Sequence, residues 1–325
     1  MEIKMALLDE IKSVGIVGAG LMGHGIAQVF AVSGYDVHMY DKNKEILSGS
    51  LGRIENNLKD LLNLEMIEEK DIPVCLSRIY PEEDLEPCFK SCQVVIEAVD
   101  EDLELKRVVF SLLENVCSPE TILCSNTSSI PIGNISRELR HKNRVLGTHF
   151  WNPSNVMPCV EVIKSQYTDD QVFETAVSLL GKVGKKPVKV LRDVPGFLGN
   201  RLQLALQREA LFMVEEGIAA PEDIDAVVRN GFGMRLPFAG PLELMDLASI
   251  DLGIRVQNIL FPDLSCGKSA PDIVKRMVER GHLGAKTGKG FYDWPGEKAD
   301  QRTRFRDAGL YALIRLVKDL EERQP

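Results

Sequence analysis

The chain has 325 residues, of which 44% are hydrophobic and 27% charged, with a mean hydropathy of −0.07; this excludes disordered and fibrous proteins and leaves room for two domains with real cores. A formal charge of −9, from 39 basic and 48 acidic side chains, gives no general attraction for nucleic acid or anionic lipid. No apolar run reaches the ~18 residues of a membrane span, and Met1–Lys12 mixes Glu2, Lys4, Asp9, Glu10 and Lys12 with short apolar stretches, unlike a signal segment. The expectation is a cytoplasmic protein acting on a small molecule, with neither nucleic acid nor membrane as partner.

In chain order, the apolar run Val14–Val17 ends in Gly18-Ala19-Gly20-Leu21-Met22-Gly23, after which Ile26, Ala27, Phe30 and Ala31 recur at helical spacing. A second β-like run, Tyr35–Tyr40, ends at Asp41 and completes a βαβ unit, which implies a parallel sheet. Further strands are predicted at Val94–Ala98, Thr121–Cys124, Arg144–Thr148, Val160–Ile163 and Lys186–Val190. Ile54, Leu58 and Leu61 mark a helix between them. Seven cysteines, an odd number, are scattered along the chain; Cys88 and Cys92 are four apart, but no His or second Cys pair lies at zinc-ligand spacing, so reduced thiols and no metal site are expected.

The α/β rhythm stops near Arg192. Beyond it Leu202–Glu216 reads as a long helix ending at Gly217, Pro221-Glu-Asp opens another, and Leu242–Leu247 and Ile273–Val278 are helical too. From Gly296 a tail follows, with Leu310, Leu313, Ile314, Val317 and Leu320 on one stripe. The predicted organisation is an α/β Rossmann-like domain over 1–192, an all-α domain over 193–295 and a helical tail over 296–325.

A lone GxGxxG is a weak signal. Here it follows a strand, opens a helix and is succeeded by an acid at the end of the next strand, which is the dinucleotide arrangement. Gly18 makes the tight turn, Gly20 lets backbone approach a pyrophosphate, Gly23 allows close helix–strand packing, and Leu21 and Met22 lie within the loop. Asp41 would accept hydrogen bonds from ribose hydroxyls and repel a 2′-phosphate, so NAD is expected over NADP.

Nicotinamide chemistry on an alcohol needs a base for the hydroxyl proton and groups that polarise the nascent carbonyl. Among five histidines, His24 lies in the glycine turn, His38 in mid-strand, and His141 and His282 in charged segments. His149 follows a strand at the expected C-terminal edge of the sheet. Glu161 stands in the apolar run Val160–Ile163 and needs a partner. His149 and Glu161 together would have the logic of a base and its orienting acid; the same residues also describe a core histidine and an unrelated surface acid.

The segments GAGLMGHGIAQVFA (18–31), IEAVDEDLELK (96–106), SNTSS (125–129), THFWNP (148–153), VEVI (160–163), DVPGFLGNRL (193–202), GPLELMD (240–246) and KTGKGFYDW (286–294) resemble, in this order, the 3-hydroxyacyl-CoA dehydrogenase family and its relatives lambda-crystallin/L-gulonate dehydrogenase and L-carnitine dehydrogenase. The resemblance covers residues 13 to about 294. It implies an NAD-dependent oxidoreductase of fatty-acid metabolism, dimeric through its helical domain. By position it makes His149 the catalytic base, Glu161 its electrostatic partner, and Ser128 and Asn200 the donors to the reacting oxygen or thioester carbonyl. It also makes Glu101, Lys106, Asn152 and Lys286 contacts of NAD. Without the motifs, Ser128 would read as a helix N-cap before Ile130 and Asn200 as a helix cap.

Two segments depart from the pattern. Where relatives carry Ser and Lys for coenzyme A, this chain reads Arg53 to Asp71 with Asn57 and Asn63-Leu64 at those positions, and Lys59 and Lys70 sit among acids. The loop 231–243 is longer than in the hydroxyacyl-CoA pattern and contains Arg235, whose guanidinium could clamp a free carboxylate or serve as a surface or interface residue. The leading expectation is therefore oxidation of a 3-hydroxyacyl-CoA, the alternative a free 3-hydroxy acid bound by Arg235, and the rival class a non-catalytic NAD-binding protein.

Overall fold

The computed structural model describes residues 8–63 and 65–323; residues 1–7, where no signal segment is expected, and Leu64 of the coenzyme A comparison lie outside them. Among the described residues eight strands form one sheet: β1 Ser13–Val17, β2 Asp36–Tyr40, β3 Ile79–Glu82, β4 Val94–Glu97, β5 Ile122–Ser125, β6 Val145–Phe150, β7 Cys159–Ile163 and β8 Lys186–Val190, in the spatial order 3-2-1-4-5-6-7-8. Strand order reverses between β1 and β4, and ligands of such sheets bind in the crevice at the carboxyl ends of those strands.

β4 and β5 are buried along their whole length, which is why they read as continuous apolar runs rather than alternating ones. Val94, Ile96, Ile122 and Cys124 join a core with Phe30, Ile26 and Met39, while the intervening Val95 and Leu123 join another with Phe89, Phe110 and Phe197. The alternation means the sheet is covered on both faces.

Two features differ from the sequence reading. β3 was not expected: it is four residues long, contains Pro81 and exposes Tyr80, as a sheet-edge strand can. The sheet is also not wholly parallel, because β6 and β7 pair antiparallel, joined by the short connection 151–158; so few residues cannot make the crossover that parallel strands need.

The chain divides into two compact units, one through Arg201 and the other from Leu202 onward. The expected boundary after residue 192 lies earlier than this division. Residues 193–201 are fastened to the first unit: Asp193 accepts hydrogen bonds from the amides of Ile132 (3.1 Å) and Gly133 (2.7 Å), and Glu161 accepts from those of Leu198 and Gly199. The expected separate tail falls within the second unit.

That second unit is helical, with helices Pro221–Asn230, Pro241–Ala248, Ile250–Leu260, Asp272–Glu279 and Lys298–Glu321 after the long helix Gly199–Glu215. Ile250–Leu260 was not singled out in the sequence; it follows Pro241–Ala248 directly, the two separated by Ser249 at φ 113°. No helix among the described residues is long and apolar enough to cross a membrane.

Candidate active site

The glycine turn leaves β1 and enters the helix Gly23–Val32 as its sequence requires. Gly18 has φ +97° and a Cβ there would lie 2.6 Å from the Ala98 carbonyl oxygen; a Cβ on Gly23 would lie 1.7 Å from the Gly18 oxygen. Neither position tolerates a side chain. Around Gly20, in contrast, no atom other than those of Gly20 and its two chain neighbours lies within 4 Å of where a Cβ would stand, so that side of the turn is open for a ligand. Leu21 is exposed beside it, while the His24 ring is turned inward, its Nδ1 2.7 Å from the Gly20 carbonyl. Burial lowers the pKa of His24 below the ordinary histidine value.

Asp41 follows β2 and crosses back to this turn. Its two carboxylate oxygens accept from the backbone amides of Ala19 and Asn43, each at 2.8 Å. The carboxylate is thus fixed next to the turn, as ribose recognition needs. A turn open at Gly20, closed at Gly18 and Gly23, and followed by a fixed acid fits a dinucleotide.

His149 and Glu161 are directly opposed in the antiparallel β6–β7 pair. His149 Nδ1 lies 2.7 Å from Glu161 Oε2, with both side chains buried. The other oxygen, Oε1, accepts from the amides of Leu198 (2.8 Å) and Gly199 (3.0 Å). Burial pushes the Glu161 carboxyl up, but the hydrogen bonds from His149, Gly199 and Leu198 outweigh it and hold its pKa below the usual carboxylate value. A carboxylate accepts from Nδ1–H, which leaves Nε2 with its lone pair. Trp151 and Phe197 flank the imidazole, with ring centroids 5.2 and 5.9 Å away. Phe197 reaches it from a sharp turn, Gly196 at φ +72° and Phe197 itself at φ +50°.

Ser128 does not cap a helix: the next helix begins at Ile132, after Pro131. It stands exposed in the loop after β5, and its carbonyl accepts from Asn200 Nδ2 at 2.8 Å, so the structure brings these two residues together. Glu101 shapes the same loop. Its Oε1 accepts from Thr127 Oγ1 (2.7 Å), the Ser128 and Ser129 amides (2.9 and 2.8 Å) and Ser129 Oγ (2.9 Å). Burial raises the pKa of Glu101, while the Thr127 and Ser129 hydrogen bonds and the charge of Lys106 bring it to a net value below the ordinary one. Lys106 is 1% exposed, with Nζ 2.7 Å from Glu97 Oε1 and 3.5 Å from Glu101 Oε2.

Several groups of this site escaped the sequence reading. Glu97, fully buried at the end of β4, accepts from Lys106, from Ser125 Oγ (2.7 Å) and from the Val99 amide (2.7 Å). An acid closing an otherwise apolar strand was the available signal. The Leu198 and Gly199 amides, being backbone, leave no mark in residue type. Asn152 precedes a cis bond to Pro153 in the β6–β7 connection. Lys286, in the short turn Ala285–Thr287, and Arg235, after the turn Phe232–Met234, belong to the second unit and are exposed there.

A doubly wound sheet carrying this glycine turn, followed by a helical unit, defines an NAD-dependent oxidoreductase. The model of "3-hydroxyacyl-CoA dehydrogenase, NAD binding domain" matches residues 13–194 and that of the C-terminal domain residues 196–294. The chain belongs to the 3-hydroxyacyl-CoA dehydrogenase family. It is 38% identical over 286 residues to the probable 3-hydroxybutyryl-CoA dehydrogenase of Bacillus subtilis, covering 88% of this chain and 98% of that one. Among solved structures, (S)-3-hydroxybutyryl-CoA dehydrogenase of Ralstonia eutropha superposes with a TM-score of 0.74 at 34% identity, covering 88% of this chain and all of the other. An NAD+-dependent dismutase named 5-formyl-3-hydroxy-2-methylpyridine 4-carboxylic acid 5-dehydrogenase superposes with a TM-score of 0.89 at 29% identity, covering 95% of this chain and 99% of the other.

Proposed function

We propose that this enzyme oxidises the 3-hydroxyl of a 3-hydroxyacyl-CoA to the 3-oxoacyl-CoA with NAD, in cytoplasmic fatty-acid metabolism, with His149 as general base. The observation that carries this reading is the His149–Glu161 contact, anchored on its far side by two backbone amides. Bound NAD supplies the hydride acceptor. His149 Nε2 takes the hydroxyl proton as the C–H hydride leaves, and Glu161, fixed in its charged form, stabilises the imidazolium. Ser128 Oγ and the second N–H of the Asn200 amide are the neutral donors assigned to the substrate oxygens; the first N–H of that amide holds the Ser128 carbonyl. Gly18, Gly20 and Gly23, with Leu21 and Met22 between them, cradle the pyrophosphate and Asp41 takes the adenosine ribose; Glu101, Lys106, Asn152 and Lys286 are assigned to the cofactor. The relatives named for 3-hydroxybutyryl-CoA support the substrate class.

A free 3-hydroxy acid is the second reading. Every cation of the segment expected to meet coenzyme A is engaged locally: Arg53 donates to the carbonyls of Ala19 and Ile46, Lys59 pairs with Glu55 at 2.6 Å and Lys70 with Glu68 at 2.7 Å. Asn57 is bound to Gln28 at 3.1 Å. The 0.89 match to an enzyme named for a pyridine carboxylic acid supports the same reading, with Arg235 as carboxylate anchor. NAD reduction assayed with 3-hydroxybutyryl-CoA, longer 3-hydroxyacyl-CoAs, L-gulonate and carnitine decides: turnover of the thioesters is expected, and turnover of free acids alone would overturn the leading reading.

The same proposal includes a homodimer formed through the helical unit. Among its described residues Ile224 is the one buried apolar side chain, while Leu202, Leu242, Leu247, Ile259 and Phe261 are exposed. Apolar surface on that scale needs a cover. Sedimentation equilibrium at twice the chain mass is the expected result.

A further inference from the structure

The connection 151–158 between β6 and β7 leads from His149 to the glycine turn. Ser154, 1% exposed, donates its hydroxyl to the Met22 carbonyl at 2.9 Å, and a Cβ on Gly25 would come within 2.3 Å of that hydroxyl oxygen. The contact is close enough that the connection and the start of the helix Gly23–Val32 must move together. On the other side of the connection stands Lys185, in the turn before β8. Its side chain is buried, and Nζ donates to the carbonyls of Ser154 and Met157, both at 2.8 Å.

No carboxylate forms an ion pair with Lys185 among the described residues. An unpaired buried ammonium is costly, and burial pulls this one down to about 8. An apolar chain of similar length would fill the same space without that cost. What the ammonium adds is a pair of charge-assisted hydrogen bonds that fix two carbonyls of one turn in a single geometry. We propose that Lys185 is a positioning residue of the cofactor site: it holds the 153–157 turn so that Ser154 braces the glycine turn at Met22. The inference rests on NAD occupying that turn, and extends the site to a lysine that touches neither cofactor nor substrate.

The test is NAD affinity by calorimetry for the wild type, Lys185→Met, Ser154→Ala and the double variant, with steady-state kinetics on the same samples. Lys185→Met should raise the Kd and KM for NAD by about tenfold, with kcat at saturating NAD within about threefold of wild type. Ser154→Ala should move the Kd in the same direction, and the double variant should be no worse than Lys185→Met alone, because both changes release one turn. An unchanged Kd in either single variant overturns the proposal, whatever happens to the melting temperature; so does strict additivity. If Lys185→Met does not fold, Ser154→Ala decides by itself. Failure of the wild type to bind NAD would be a different result, against the cofactor reading rather than against Lys185.

Discussion

Glu161 stands directly opposite His149 in the antiparallel β6–β7 pair, its Oε2 2.7 Å from the imidazole Nδ1 while its Oε1 is held by two backbone amides. The arrangement engages Nδ1 and leaves Nε2 as the nitrogen with a free lone pair. His149→Gln should therefore lower kcat by roughly 10²–10⁴-fold with NAD affinity unchanged. Glu161→Gln should lower kcat less and displace the acid limb of the pH–rate profile, since an amide no longer stabilises the imidazolium. Steady-state kinetics across pH, with calorimetry for NAD, checks both. Loss of activity only in proportion to unfolded protein would return His149 to the core.

Glu161 also makes a prediction about stability. Its folded pKa lies below its unfolded one, so its ionisation contributes stability that is present above the unfolded carboxylate value and lost as pH falls through the folded value. The wild type should lose more melting temperature than Glu161→Gln as pH falls from about 5 to well below the unfolded carboxylate value of about 4.3. Parallel thermal-melt curves for the two proteins over that range would contradict the assignment.

Asp41 is held by the Ala19 and Asn43 amides with its charge toward the cofactor turn. NAD should bind much more tightly than NADP. Asp41→Ala should narrow the gap mainly by weakening NAD, by about ten- to a hundredfold for a lost charge-assisted hydrogen bond of ~1.5–3 kcal/mol. Calorimetry with both cofactors checks this, and equal wild-type affinities would refute it.

Much of this site is legible in residue types because its chemistry needs particular ones at particular places. The glycines of the turn, Asp41 at a strand end and an acid within an apolar strand all break local pattern, and each break marks a ligand or a partner. The antiparallel turn of β7 was encoded too, in the shortness of 151–158, but chain order alone suggested a parallel sheet. Other parts leave no such mark. Lys106 looks like an exposed helical lysine until its buried partner Glu97 is placed, and the amides on Glu161 depend on where residues 196–199 turn back. β3 was hidden because Pro81 argues against a strand anywhere but at an edge.

The substrate separates the two readings through Arg235. With an acyl-CoA substrate, recognition rests on the acyl and pantetheine portions, and Arg235→Ala should change KM for 3-hydroxybutyryl-CoA by no more than about threefold. For a free acid the guanidinium is a principal anchor, and losing a charge-assisted contact of ~1.5–3 kcal/mol should raise KM by roughly ten- to a hundredfold. The chain leans to the thioester because its catalytic segments and KTGKGFY (286–292) follow the hydroxyacyl-CoA pattern, while the paired Lys59 and Lys70 are among the features that weigh against it. Removing the 3′-phosphate of the coenzyme should cost this enzyme little, since Arg53, Lys59 and Lys70 of the 53–71 segment are all engaged locally. 3-Hydroxybutyryl-dephospho-CoA should thus be turned over with a KM within about threefold of the full thioester, and a much larger KM would show that Lys59 or Lys70 leaves its acid to bind the phosphate.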